Sequence, residues 1–199
     1  MGDVLMVVDL QRAVIMVVDT NLEMRRLVRQ TLRSHGVGTV VDAADGADAL
    51  RLMEIHSPDV LITELSMTPI DGLELTRFVR RGKRSPNPYM GVIAVCGHAD
   101  PHLVCQARDE GVSEFLIRPL SAAVLMSHVS SVLERPRKFV RSATFFGPDR
   151  RRHAIAWRGV ERRVSGIRPG GTAAPVGVGA RATPSASTAV PGTPPDTNS

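Results

Sequence analysis

Ala13-Val14-Ile15-Met16-Val17-Val18-Asp19 decides the fold. An apolar run that ends on an acid reads as a strand buried on both faces. Working outward, similar runs recur. Thr39–Ala43 reads as a second strand, Val60–Thr63 as a third, Tyr89–Val95 as a fourth and Glu114–Ile117 as a short fifth. Helical patterns lie between them. Asn21 to His35 sets Met24, Leu27, Val28 and Leu32 at helical spacing, and Gly36 follows the stop. Asp45-Gly46 opens a helix through Ile55, and Pro58 ends that unit. Asp71 caps a helix from Gly72 to about Arg81. Asp100 precedes a proline at the first helical position, and that helix stops at Gly111. Ser121 caps a last helix to about Leu133. Strands alternating with helices predict an α/β domain with a doubly wound, five-stranded parallel sheet. In such a fold the working crevice lies at the carboxyl ends of the strands. Those ends are Asp19, Glu64, Cys96 and Arg118.

Composition sets limits. The chain has 199 residues, which suits one ordinary domain plus a remainder. Cys96 and Cys105 are the only cysteines, too few for a disulfide framework or a cysteine-rich zinc site. No uncharged apolar run reaches the ~18–20 residues that span a bilayer, so no membrane insertion is expected. The N-terminus lacks the order of a signal peptide. These features predict a cytoplasmic protein.

The net charge of +5 hides a split, with −3 on residues 1–133 and +8 on residues 134–199. Four of the seven aromatics, Phe139, Phe145, Phe146 and Trp157, lie in the basic part. The expected organisation is a loosely ordered leader (1–12), the α/β domain (13–133), a basic aromatic extension (134–163) and a disordered tail (164–199) rich in Gly, Pro, Ser and Thr. The leader carries Leu5-Met6-Val7-Val8-Asp9, a near copy of Ile15-Met16-Val17-Val18-Asp19. It reads either as a competing strand or as a segment without structural role.

Five motifs in order, Val17-Val18-Asp19-Thr20-Asn21, Asp45 to Leu50, Leu61-Ile62-Thr63-Glu64, Met67 to Leu75 and Phe115-Leu116-Ile117-Arg118-Pro119-Leu120, resemble the response-regulator receiver domain. The resemblance covers residues 13–133 and implies a flavodoxin-like (βα)5 fold of the CheY type. Receivers take a phosphoryl group from a histidine kinase onto an aspartate ending the third strand. An acidic pair after the first strand holds Mg²⁺, a Ser/Thr ends the fourth strand, and Lys-Pro follows the fifth. This sequence departs at nearly all of these positions. Asp19 keeps the first acid and Thr20 replaces the second. Glu64 stands at the phosphoacceptor position, Cys96 at the hydroxyl position and Arg118 at the lysine position, with Pro119 retained.

Glu64 is one methylene longer than aspartate, which displaces its carboxylate by ~1.5 Å. A misplacement near 1 Å can cost ~10²-fold in a reaction that depends on positioning. Asp19 and Glu64 remain as metal ligands, but Mg²⁺ prefers near-octahedral oxygen ligation. With the second acid lost, the expected Mg²⁺ binding is weak or absent, and no other cofactor is expected. Arg118 is a planar fork suited to a carboxylate. The expectation is that it pairs with Glu64 or Asp19 and fills the role of metal and phosphate. That describes a degenerate receiver, a pseudo-receiver locked in one state. The bland alternative is a structural relic; a residual phosphoacceptor switch is the third.

Other residues draw plainer readings. Cys96 reads as an inert, half-buried thiol rather than a redox sensor. Phe115 sits where receivers place an aromatic switch residue, and without a hydroxyl it is expected to stay buried. His35, His56, His102 and His128 lack metal spacing. Arg80-Arg81-Gly82-Lys83-Arg84 reads as a basic helix end favoured by the helix dipole, with a phosphate patch as the sharper alternative. No Ser/His/Asp set or nucleotide loop is present, so no enzyme is expected.

The extension admits three readings: docking of its aromatics onto the domain or a second subunit, nucleic-acid binding, and a cyclic dinucleotide site built on Arg158 and Arg162. The last needs a barrel for which no sequence remains. Docking ranks first, since no DNA-reading unit fits in so short a stretch. The expected partner is a signalling protein, a histidine kinase or a downstream target. By resemblance it meets the fourth helix, fifth strand and fifth helix. A homodimer is a further expectation, and a nucleic-acid adaptor the alternative from another class.

Overall fold

The structure, a computed structural model, describes residues 9–150 except Ala99. The expectations for residues 1–8, for Trp157, Arg158 and Arg162, and for the disordered tail lie outside the described residues.

Five strands, β1 (Val14–Val18), β2 (Thr39–Ala43), β3 (Val60–Glu64), β4 (Gly91–Cys96) and β5 (Glu114–Ile117), alternate with five helices. The helices are α1 (Leu22–Ser34), α2 (Gly46–His56), α3 (Gly72–Arg81), α4 (Pro101–Glu110) and α5 (Ala122–Glu134). The sheet is parallel with order β2-β1-β3-β4-β5, so the direction of winding reverses beside β1 and β3. This is the doubly wound architecture the alternation predicts.

The helices start where short polar side chains cap them. Asn21 Oδ1 accepts from the N–H of Glu23 at 2.8 Å and of Met24 at 3.2 Å. Asp71 and Glu74 form a reciprocal capping box on α3, an arrangement that satisfies two otherwise orphaned N–H groups. Asp45, Asp100 and Ser121 cap α2, α4 and α5. Alternation along the strands then builds two cores. Ile15 and Val17 face Val28, Leu32, Leu125 and Val129 of α1 and α5. Met16 and Val18 face Ala49, Met53, Leu75 and Val79 of α2 and α3, with Ala107 of α4 in the same core. This two-sided burial is why β1 lacks polar alternation.

Several expectations need correction. The leader's last residues, 9–12, are ordered as a turn: the Arg12 N–H donates to Asp9 O at 3.0 Å and the Gly38 N–H to Leu10 O at 3.0 Å. The fourth strand begins at Gly91, not Tyr89. Tyr89 lies in the preceding loop, where the Asn87 side chain accepts from its N–H at 3.0 Å. Phe115 is half-buried: it packs at the margin of the core from the edge strand β5. Cys96 is buried, not half-buried.

Arg80 is the largest departure. It is only 3% exposed. Its Nε donates to Gly111 O at 2.9 Å, and its Nη1 to Pro88 O and Met90 O, each at 2.8 Å. Far from a solvated helix end, it ties α3 to the loop before β4 and to the end of α4. Burial lowers its pKa to about 9.

What covers Arg80 is the extension. Residues Phe139–Arg141 (β6) and Phe146–Pro148 (β7) pair antiparallel. Phe139 and Phe146 meet the Tyr89 ring edge-on at 5.0 and 5.3 Å, and the Arg80 guanidinium lies 5.1 Å from the Phe139 centroid. Gly147 sits against Gly111, the left-handed C-cap of α4 (φ 100°). A Cβ on Gly147 would come within 2.9 Å of the Gly111 Cα. Arg137 donates to Glu114 at 3.0 Å, and Arg150 pairs with Asp109 at 3.2 Å while covering the Phe145 ring. The hairpin thus closes the amino-terminal end of β4 and β5, opposite the crevice. Among the described residues, this arrangement matches the docking reading for Phe139, Phe145 and Phe146.

Candidate functional site

At the carboxyl ends of the strands the structure brings together Asp19, Thr20, Glu64, Cys96 and Arg118. Asp19 follows β1, Glu64 ends β3, Cys96 ends β4 and Arg118 follows β5. The Arg118 N–H donates to Cys96 O at 2.9 Å, which fixes the backbone from which the side chain reaches back. Gly72 holds the other side: a Cβ there would lie 2.3 Å from Glu64 O.

Arg118 bridges both carboxylates. Its Nη1 donates to Glu64 Oε1 at 3.1 Å, and its Nη2 donates to Asp19 Oδ2. The other carboxylate oxygens are also engaged. Asn21 N–H donates to Asp19 Oδ1 at 2.8 Å. Thr20 Oγ1 donates to Glu64 Oε2 at 3.1 Å, with its N–H at 3.4 Å. Thr20, where a second acid is absent, therefore supplies a donor in place of a repelling charge. Pro119 follows Arg118 across a cis peptide bond.

The electrostatics are those of a crowded acidic pair with one cation. Burial raises the pKa of Asp19 most, and the Glu64 charge raises it further. The Asn21 N–H and Arg118 act in the opposite direction. The Cys96 thiol is also pushed up by burial, while its Sγ donates to His98 O at 2.8 Å. A thiol held protonated in this way is a poor nucleophile.

The site does not fit Mg²⁺. The ion needs several free oxygen ligands in octahedral array. Here each carboxylate oxygen of Asp19 and Glu64 already accepts from an N–H or O–H of the chain, and a guanidinium lies between the two acids. No group of three metal-ligating side chains occurs among the described residues.

Arg25 is a site residue that sequence reasoning missed. Its Nη1 donates to Asp19 O at 2.6 Å and Thr20 O at 3.3 Å, closing the β1–α1 loop. The available signal was a basic residue in the first turn of a helix, where the dipole disfavours a cation. Phe115 sits on β5, beside a groove of about 460 Å³ lined by Val104, Val112 and Ile117. Among the described residues no helix is long and apolar enough to cross a membrane.

Comparison with known proteins agrees with this architecture. The chain is 30% identical over 121 residues to the chemotaxis protein CheY of Pseudomonas aeruginosa, covering 61% of this chain and 96% of that one. It is 26% identical to CheY-3 of Vibrio cholerae, covering 61% and 92%. Among solved structures, Vibrio cholerae CheY4 superposes with a TM-score of 0.57 at 25% identity, covering 61% of this chain and 98% of that one. A receiver domain from Clostridium thermocellum gives 0.55 at 27% identity, covering 62% and 95%. Residues 15–130 match the response regulator receiver domain. The chain therefore belongs to the response regulator receiver family, whose members serve two-component signalling through contacts with histidine kinases and downstream targets.

Proposed function

We propose that this receiver is degenerate and signals through protein contacts without phosphorylation at the usual position. One observation carries the reading: the Arg118 guanidinium bridges Asp19 and Glu64. It stands where a bound cation would neutralise the acids, so the pocket is compensated by the chain itself. Phosphoryl transfer depends on in-line positioning and charge stabilisation. Here the carboxylate at the acceptor position is hydrogen-bonded by Arg118 and Thr20, which supports the reading that it is not poised for in-line attack.

The partner is a signalling protein, either a histidine kinase or a downstream target. The surface offered is α4, β5 and α5, where Ile117 is 46% exposed on an edge strand. The protein has no enzymatic task and works in the cytoplasm. Docking of Phe139, Phe145 and Phe146 uses up rings that would otherwise serve as a stacking platform, which weighs against the nucleic-acid adaptor.

The test is incubation with a small phosphodonor and Mg²⁺, beside the triple variant Thr20→Asp/Glu64→Asp/Arg118→Lys. The expected result is labelling of the triple variant alone. Mg²⁺-dependent phosphoryl incorporation at Glu64 of the native chain would establish the phosphoacceptor instead.

A further inference from the structure

The hairpin does more than cover Arg80: it forms one wall of a groove. The groove lies between the C-terminal end of α3 and the β6–β7 turn, with a volume of about 640 Å³. Clefts that take drug-sized ligands span ~300–1,000 Å³, a range that includes this groove. Arg80, Arg81 and Arg141 line it, together with the hydroxyl residues Ser142 and Thr144, and among the described residues no carboxylate does.

The charge there is poorly compensated. Among the described residues Arg80 has no ion-pair partner; its acceptors are three carbonyls and, at 3.4 Å, the Ser113 hydroxyl. A desolvated cation held only by neutral dipoles favours any nearby anion. Arg81 reaches Glu110 only at 3.7 Å, and Arg77 already holds both oxygens of that carboxylate, at 2.8 and 3.1 Å. Arg141 is exposed, and its guanidinium lies 4.6 Å from the Phe146 centroid. The Ser142 Oγ accepts from the Phe145 N–H at 3.1 Å, and its own O–H remains a donor. The helix dipole at the end of α3 is negative and offsets part of this field. Three arginines outweigh an effect of about half a charge.

We propose that this groove binds the phosphate of a nucleotide-sized ligand, gripped by Arg81 and Arg141 with Ser142 and Thr144 as hydroxyl donors. Arg80 supplies field without contact: it is buried, its Nε and Nη1 donate to carbonyls and its Nη2 is turned to the Ser113 hydroxyl. The site lies at the end of the sheet opposite Asp19, Glu64 and Arg118, and it stands whether or not that pocket takes phosphate.

The test is titration of the ¹⁵N-labelled full chain with ADP, with pyrophosphate and with a single-stranded oligonucleotide. The variant is Arg81→Gln/Arg141→Gln, both exposed positions. The control is Arg26→Gln/Arg51→Gln, which removes the same charge from exposed pairs elsewhere. The expected result is amide shifts centred on residues 81–82 and 141–146, with affinity reduced at least about tenfold in the variant and unchanged in the control. Binding of ADP and pyrophosphate on this pattern identifies a small phosphorylated ligand. Binding of the oligonucleotide alone on the same pattern assigns the phosphate to a nucleic-acid backbone and overturns the nucleotide-sized ligand. Equal weakening in variant and control, shifts centred elsewhere, or no saturation by any probe overturns the site.

Discussion

Replacing Arg118 by Met removes the charge from the acidic pocket while keeping much of the apolar stem. Two charge-assisted hydrogen bonds are lost, to Glu64 and Asp19. Such bonds contribute roughly 1.5–3 kcal/mol each. The low end applies, because the Arg118 side chain is 25% exposed and solvent screens it. Thr20 and Asn21 continue to donate to the two acids, which limits the loss further. The expected destabilisation is about 2–3 kcal/mol near neutral pH. Its pH dependence follows from Asp19, whose folded pKa lies above its ordinary 3.8, chiefly through burial. The folded state therefore holds that proton more tightly, and stability falls as pH rises through the folded pKa. Arg118 counters this shift, so Arg118→Met enlarges it. The deficit of the variant should therefore shrink on acidification, as Asp19 becomes protonated in the folded state. Urea unfolding followed by circular dichroism measures both quantities. Stability within about 0.5 kcal/mol of the native chain at pH 7, or a deficit that grows on acidification, would refute the bridge as the pocket's stabiliser.

Three further substitutions probe the rest of the molecule. Arg80→Leu leaves the carbonyls of Gly111, Pro88 and Met90 without their donor and should cost about 3–5 kcal/mol in urea unfolding, whereas a loss below about 1 kcal/mol would mean water replaces it. Gly147→Ala drives a methyl into the Gly111 backbone, so the hairpin should lift; expected are a loss of about 1–3 kcal/mol and faster trypsin cleavage at Lys138 and Arg141. Burial raises the Cys96 pKa, so less of it is thiolate at any pH below that value. Iodoacetamide should alkylate exposed Cys105 at least about tenfold faster than Cys96, and equal rates would show the Cys96 pocket to be open.

Local chemistry made most of the fold legible. Strands covered on both faces leave an unbroken apolar signature, and Asn21, Asp45, Asp71, Asp100 and Ser121 announce the helices because each cap is a short-range hydrogen bond. The pocket was half legible. Strand ends bring Asp19, Glu64, Cys96 and Arg118 together by topology alone. That Arg118 takes both acids, not one, depends on side-chain reach, which sequence does not state. The Thr20–Glu64 bond likewise joins residues far apart in the chain. Tyr89 read as the start of a strand because aromatic residues favour strands; its partners are Phe139 and Phe146, which no periodicity connects to it. The hairpin escaped because its strands have three residues each, shorter than any window in which alternation can be recognised. Arg80 escaped because its partners are carbonyls, and every residue has one.

The two ends of the sheet pose the same electrostatic problem with opposite signs. At the carboxyl end, buried Asp19 and half-buried Glu64 are held by one cation, and the surplus is negative. At the amino end, one buried cation is held by carbonyls and a hydroxyl, and the surplus is positive. Arginine serves at both places for one geometric reason: its planar fork offers donors in several directions, so a single side chain can reach two acids or three carbonyls. Lysine at position 118 would hold a point charge near one acid and leave the other exposed to repulsion. Lysine at position 80 would lose the direct bond from Nε and, once buried, would discharge more readily. The consequences differ. In the carboxyl-end pocket each carboxylate oxygen of Asp19 and Glu64 already accepts a hydrogen bond from the chain. Among the described residues no carboxylate answers the amino-end charge, and the extension that buries it also builds an open, basic groove beside it. Hence at the end that topology marks as the working site each acid has a charged partner, while at the end closed by the hairpin the buried cation faces only neutral acceptors among the described residues.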